Sequence, residues 1–102
     1  MNISELMKQA QQFQEKLATV QNDLGTHQIT GSSGAGMVVA TFNGRGELLG
    51  ITIEQELVQP ENVNVLQDLV VAAVNDGLNK AKELGKTEMT RLTGGFNIPG
   101  LF

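Results

Sequence analysis

Residues 31–53 read GSSGAGMVVATFNGRGELLGITI. From Met37 to Phe42 two sets alternate, Val38, Ala40 and Phe42 on one face, Met37, Val39 and Thr41 on the other. That is the period of two of a β-strand. Leu49, Ile51 and Ile53 share a face of a following run. Between the runs stands Asn43-Gly44-Arg45-Gly46, and Asn-Gly between strand-like segments is the strongest short-range hairpin signal. A weaker run, His27-Gln28-Ile29-Thr30, comes before the glycines. The pattern predicts an antiparallel meander of three strands.

The glycines at the head of this stretch admit another reading. Gly31 and Gly36 have the spacing of G-x-x-x-x-G, the opening of a phosphate-cradling loop. Such a loop needs Lys and then Ser or Thr after its last glycine, and a helix N-terminus facing the phosphates. Here Met37 and Val38 follow, and a strand begins. Gly34 and Gly36 are better read as positions of positive φ in a tight strand–loop–strand link.

Helices are predicted on both sides of the strands. Ile3, Leu6, Ala10, Phe13, Leu17, Val20 and Leu24 alternate steps of three and four, an a/d heptad stripe. Asn2 or Ser4 is placed to cap its start, and Gly25 to supply a left-handed stop. An isolated helix of this length is marginal in water, so the stripe must be buried. Its narrowness suits a facing helix of a partner chain, with packing onto the sheet as the alternative. From about Asn62 to Leu92 a second helix carries a broader face of Leu66, Leu69, Val70, Ala73, Val74, Leu78 and Ala81. Pro60 and Glu61 suit its entry. Gly77 and Gly85 each cost roughly 1 kcal/mol against alanine, which predicts a bend or break near Gly85. Gly94-Gly95 ends the helix. The apolar, turn-rich FNIPGLF that follows either docks on the body or stays loose.

At 102 residues the chain is the size of one domain, residues 1–102, with residues 92–102 as its tail. A domain this small leaves much surface uncovered and often leans on a partner. It has no cysteine, hence no disulfide framework and no thiolate chemistry. The N-terminal residues do not have the pattern of a secretory signal, and no apolar run approaches the ~20 residues of a membrane span. A soluble, intracellular protein without membrane contact is the expectation. The net charge is −4, unevenly spread. Six acids and no base lie between Gly46 and Asn79, whereas Lys80, Lys82, Lys86 and Arg91 face only Glu83 and Glu88 beyond. A local field can therefore oppose the total in sign.

Nothing in the pattern builds a catalytic centre. His27 is the only histidine, and general-base work needs a positioned partner. Glu54 and Glu56 would share a strand face at the start of an acidic stretch, as a solvated edge. No catalytic residue, metal, cofactor or small-molecule substrate is expected.

With these elements in place, the sequence resembles the YbaB/EbfC family of bacterial nucleoid-associated DNA-binding proteins. The resemblance spans almost the whole chain. It rests on Met7-Lys8-Gln9-Ala10-Gln11, on Gly31 to Gly36 running into a strand that ends Asn43-Gly44, and on Leu66-Gln67-Asp68-Leu69-Val70-Val71-Ala72-Ala73-Val74-Asn75-Asp76. Met89, Thr93-Gly94-Gly95 and Pro99-Gly100 complete it. It implies an α+β fold, α-β-β-β-α, with the meander flanked by two long helices. It also implies a tweezer-like homodimer that binds DNA in the cytoplasm, with effects on nucleoid organisation and gene expression. Val39 stands where family members often carry lysine, and Glu54-Gln55 where Asp-Pro commonly precedes the long helix.

Duplex binding is dominated by neutralised phosphates. The DNA-contacting candidates are Lys8 and Lys16 on the first helix and Lys80, Lys82, Lys86 and Arg91 on the second. Lys82 and Lys86 are four apart and share a helix face. With neither Trp nor Tyr in the chain, stacking on unpaired bases has little to work with, so backbone contact with weak sequence preference is expected. Basic residues near a helix C-terminus are also favoured simply by the helix dipole. An acidic dimeric adaptor or chaperone-like module that grips protein through its glutamine-rich helices and apolar tail is the alternative function.

Overall fold

The computed structural model describes residues 2–94. The order is α1 (Ile3–Thr26), β1 (Gln28–Ser33), β2 (Val38–Asn43), β3 (Leu48–Ile53), two single 3-10 turns (Gln55–Leu57 and Pro60–Asn62) and α2 (Val63–Leu92). The three strands form an antiparallel sheet in the order β1-β2-β3, so the expected α-β-β-β-α arrangement is the one adopted. The question of whether FNIPGLF docks falls on residues 96–102, outside the described residues.

The core follows from the alternation in β2. Val38, Ala40 and Phe42 are buried on one face, and α2 lies across β1 and β2 to cover them. Leu66, Leu69, Val70, Ala73, Val74 and Leu78 pack against this cluster, one stripe at the 3.6-residue period of an α-helix.

The approach of α2 to β1 is close because neither element has a side chain at the crossing. A Cβ on Gly31 would lie 2.1 Å from the Gly77 nitrogen and 2.3 Å from the Ala73 carbonyl oxygen. A Cβ on Gly77 would meet the Phe42 ring at 2.6 Å. Gly31 is therefore a strand residue and not part of the loop; only residues 34–37 make the turn. Within it Gly34, Ala35 and Gly36 all have positive φ, and the chain enters β2 directly. The glycines thus stand in a strand–loop–strand link and do not lead into a helix.

Several local expectations change. Asn2 is the cap of α1, its Oδ1 accepting the Glu5 N–H at 2.8 Å. Gly25 does not stop that helix, which continues to Thr26 and ends where His27 turns extended. Gly25 instead makes room for Arg45, whose guanidinium carbon lies 3.0 Å from where a Cβ would stand. Gly44 is not a positive-φ turn residue either; Gly46 is, with φ +86. The Gly44 N–H donates to the Leu24 carbonyl at 2.8 Å, and a Cβ there would clash with that carbonyl at 2.5 Å. The β2–β3 loop is thus fastened to the end of α1. A β-bulge between Thr41 and Phe42 pairs Phe42 with Leu48, so Leu49 drops out of the set it was expected to share with Ile51 and Ile53. Glu54 caps a 3-10 turn and Glu56 lies within it, in place of a strand face. Gly85 does not break α2, which is one helix from Val63 to Leu92.

The molecule is long, 69 × 22 × 16 Å with a radius of gyration of 19.0 Å, against roughly 13 Å for a compact chain of about 100 residues. The helices account for this. Both run beyond the sheet as an arm in which α1 and α2 are antiparallel. Leu24 lies beside Ala81 and Lys82, and Gln12 and Lys16 beside Arg91 and Leu92.

Candidate nucleic-acid interface

Two grooves run along the seam between α1 and α2. The inner one, next to the sheet, is lined by Leu24, Leu78, Ala81 and Met89 together with three cations, Arg45, Lys82 and Lys86, and one acid, Glu83. The outer one is lined by Lys16 and Arg91 with Glu15 and Glu88. The spacing in α2 explains the first: Lys82 and Lys86, one turn apart, project from the edge of a helix whose Ala81 and Met89 are buried. The loop fastened to Leu24 brings in the third cation.

Arg45 was not among the residues singled out from sequence. Its signal was weak, since it sits inside a hairpin motif read for its glycines, and the Gly44–Leu24 and Gly25–Arg45 contacts that carry it to the end of α1, beside α2, join segments remote in sequence. Its guanidinium is 3.1 Å from Glu47. Asn43 holds this loop: its buried carbonyl oxygen accepts the N–H groups of Arg45 and Glu47, and its amide donates to Glu47 at 2.7 Å. That hydrogen bond from the Asn43 amide, with the Arg45 charge second, holds the Glu47 carboxyl below its ordinary range.

The six sequence candidates separate into three groups. Lys82, Lys86 and Lys16 line the grooves, and no described residue forms an ion pair with them. Lys8 lies on the exposed outer half of α1, likewise without an ion pair among the described residues. Lys80 and Arg91 are engaged. Arg91 meets Glu88 at 3.1 Å within one turn of α2. Lys80 reaches Asp76 at 3.2 Å and donates to the Thr30 carbonyl, so it leans towards β1 and away from the other lysines.

The pair Asp76 and Lys80 has a structural task. Asp76 accepts the Ser32 N–H at 3.0 Å and Lys80 donates to Thr30, both on the outer edge of β1. The Ser32 bond first, and Lys80 second, lower the Asp76 pKa. Side chains of α2 thereby close one edge of the sheet, a known means of keeping an edge from pairing. Among the described residues the β3 edge has no such cover. Leu48, Leu49 and Ile51 are exposed there, and α2 does not lie over this strand.

Among the described residues no helix is long and apolar enough to cross a membrane, and no cluster of acidic, histidine or cysteine side chains could hold a metal ion.

Known proteins share this architecture. The chain is 54% identical over 101 residues to a nucleoid-associated protein of Desulfotalea psychrophila, covering 99% of this chain and 95% of that one. It is 50% identical over 101 residues to one of Caldanaerobacter subterraneus, covering 99% and 91%. Among solved structures, an uncharacterised protein of Helicobacter pylori superposes with a TM-score of 0.85 at 28% identity, over 92% of this chain and 99% of its own. The profile of the YbaB/EbfC DNA-binding family, a family of DNA-binding proteins and not of enzymes, matches residues 1–96. The extended α-β-β-β-α chain, with its sheet closed at one edge and cations lining the groove of its helical arm, belongs to the YbaB/EbfC DNA-binding family.

Proposed function

We propose that the protein is a nucleoid-associated homodimer that binds duplex DNA in the cytoplasm through the phosphate backbone, and so contributes to nucleoid organisation and gene regulation. The observation that carries this reading is the inner groove, where Arg45, Lys82 and Lys86 outnumber the single acid Glu83 although the chain as a whole is at −4. Grouped cations create a local potential within a Debye length of about 8–10 Å, and acids farther from the groove than that are largely screened and do not cancel it. The groove offers ammonium and guanidinium groups and no aromatic side chain, which fits phosphate contact and not stacking on unpaired bases.

In this reading the second copy joins through the sheet. With β1 closed by Asp76 and Lys80, β3 is the strand left to pair, and Leu48, Leu49 and Ile51 supply the apolar surface that a second β3 would cover. Pairing about a twofold axis there sets two helical arms on one assembly. Each copy then contributes its groove cations, as a footprint longer than one groove requires.

The test is a gel-shift titration of a random-sequence duplex with wild-type protein, Lys82→Glu/Lys86→Glu and Lys80→Gln. The double variant is expected to bind several-fold more weakly, and Lys80→Gln close to wild type because its ammonium is already held by Asp76 and Thr30. Equal losses in the two variants would refute the assignment to the groove. No shift of any duplex at low salt would refute DNA binding and leave the protein-adaptor reading.

A further inference from the structure

The apolar stripe of α1 is one continuous row, but α2 covers only half of it. Leu24 is buried, and Leu17 and Val20 are half-buried. Further out the same row stands open, with Ile3 76%, Leu6 57% and Phe13 37% exposed. The reason is the antiparallel register of the two helices. Leu92, the last residue of α2, sits against the part of α1 around Gln12 and Lys16, so the outer turns of α1 pass beyond its end.

The chain that leaves α2 at that point is residues 95–102, GFNIPGLF. It is uncharged and carries Phe96, Ile98, Leu101 and Phe102. We propose that residues 95–102 fold back onto α1 of the same chain and cover Ile3, Leu6, Ala10 and Phe13. The reach is sufficient. From Phe13 to Ile3 the helix rises about 15 Å, and eight residues span at most about 26–29 Å when extended. The segment thus extends the existing α1–α2 seam with side chains of the same apolar kind. Pro99 cannot continue a helix and holds its φ near −65°, which favours an extended strap over a further turn of α2. Covered in this way, the outer half of α1 is held in place, and Lys8 with it.

The experiment uses the full chain. Because it contains no cysteine, Asn97→Cys provides a single attachment point for a nitroxide, and the broadening of backbone amide signals by NMR reports which residues lie near it. Residues 3–13 are expected to lose most of their amide intensity while Val38–Phe42 keep theirs. In a mixed sample, isotope-labelled chains without nitroxide and unlabelled chains with it, residues 3–13 are expected to keep their intensity. Full intensity at residues 3–13 in the first sample would overturn the proposal. Broadening of residues 3–13 in the mixed sample would overturn it too, by assigning the stripe to the tail of a second copy. As a second measurement, deletion of residues 95–102 is expected to speed amide exchange at Leu6–Phe13 several-fold. Unchanged exchange there would count against the contact. Neither measurement involves DNA, so their failure is distinct from failure of the DNA-binding reading.

Discussion

Two glycines in α2, eight residues apart, are expected to respond with opposite sign to the same substitution. Alanine in a helix interior is favoured over glycine by about 1 kcal/mol. At Gly85 a Cβ meets nothing within 4 Å, so Gly85→Ala should collect this gain in full. At Gly77 the Cβ would stand 2.6 Å from two ring carbons of Phe42 and 3.1 Å from the Gly31 nitrogen. Phe42 is only 2% exposed, with Val38 and Ala40 beside it in the core, so its ring cannot swing into solvent. The helix must move off the sheet. Overpacking of this kind costs about 1–3 kcal/mol, and with a buried ring and a strand backbone both obstructing, the upper end applies. Less the helix gain, Gly77→Ala should destabilise by about 2 kcal/mol, some 3 kcal/mol from Gly85→Ala. Urea unfolding followed by circular dichroism measures this, at one fixed protein concentration because association shifts apparent stability. At roughly 4–8 °C per kcal/mol for a domain of this size, thermal midpoints should separate clearly as well. A Gly77→Ala protein as stable as wild type, or a Gly85→Ala protein less stable, would refute the tight-crossing explanation.

Other consequences follow from the same contacts. Asp76 titrates below its ordinary range because of the Ser32 N–H and Lys80, so its contribution is present at neutral pH and is lost as pH falls through its folded-state pKa. Asp76→Asn should therefore lower the urea midpoint at pH 7, and the gap to wild type should close on acidification; a constant gap would contradict the linkage. Ile51→Lys on the open β3 edge should convert a particle of twice the chain mass to one chain by light scattering, while circular dichroism stays native. Arg45→Ala should weaken duplex binding with little change in unfolding midpoint, since its ion pair with Glu47 is exposed and such pairs contribute about 0–1 kcal/mol.

The fold was largely legible because its strongest signals are periodic. The alternation of Val38, Ala40 and Phe42 and the stripe from Leu66 to Ala81 each specify a buried face without reference to anything distant. Glycine was the poorest guide. At Gly25, Gly31, Gly44 and Gly77 the missing side chain serves an approach between segments remote in sequence, and a local reading sees only turn or breaker. The bulge that displaces Leu49 is similarly invisible, since register is a property of two strands together. For the interface, helical spacing was enough to pair Lys82 with Lys86. It could not separate Lys80 from them, because the Thr30 and Ser32 groups that attract Lys80 and Asp76 come from a strand more than forty residues away. Arg45 was missed for the same reason.

That an acidic chain binds duplex DNA through a few grouped cations is tested most directly by the salt dependence of wild-type binding. Fluorescence anisotropy of a labelled random-sequence duplex gives the association constant across a salt series. Each phosphate contact contributes about 0.9 to the slope of log K against log salt, so Lys82 and Lys86 of two copies alone should give a slope of roughly −3.6. A line at least that steep, and much the same for unrelated sequences, is the expected result. A slope near zero, or no association at low salt, would contradict it.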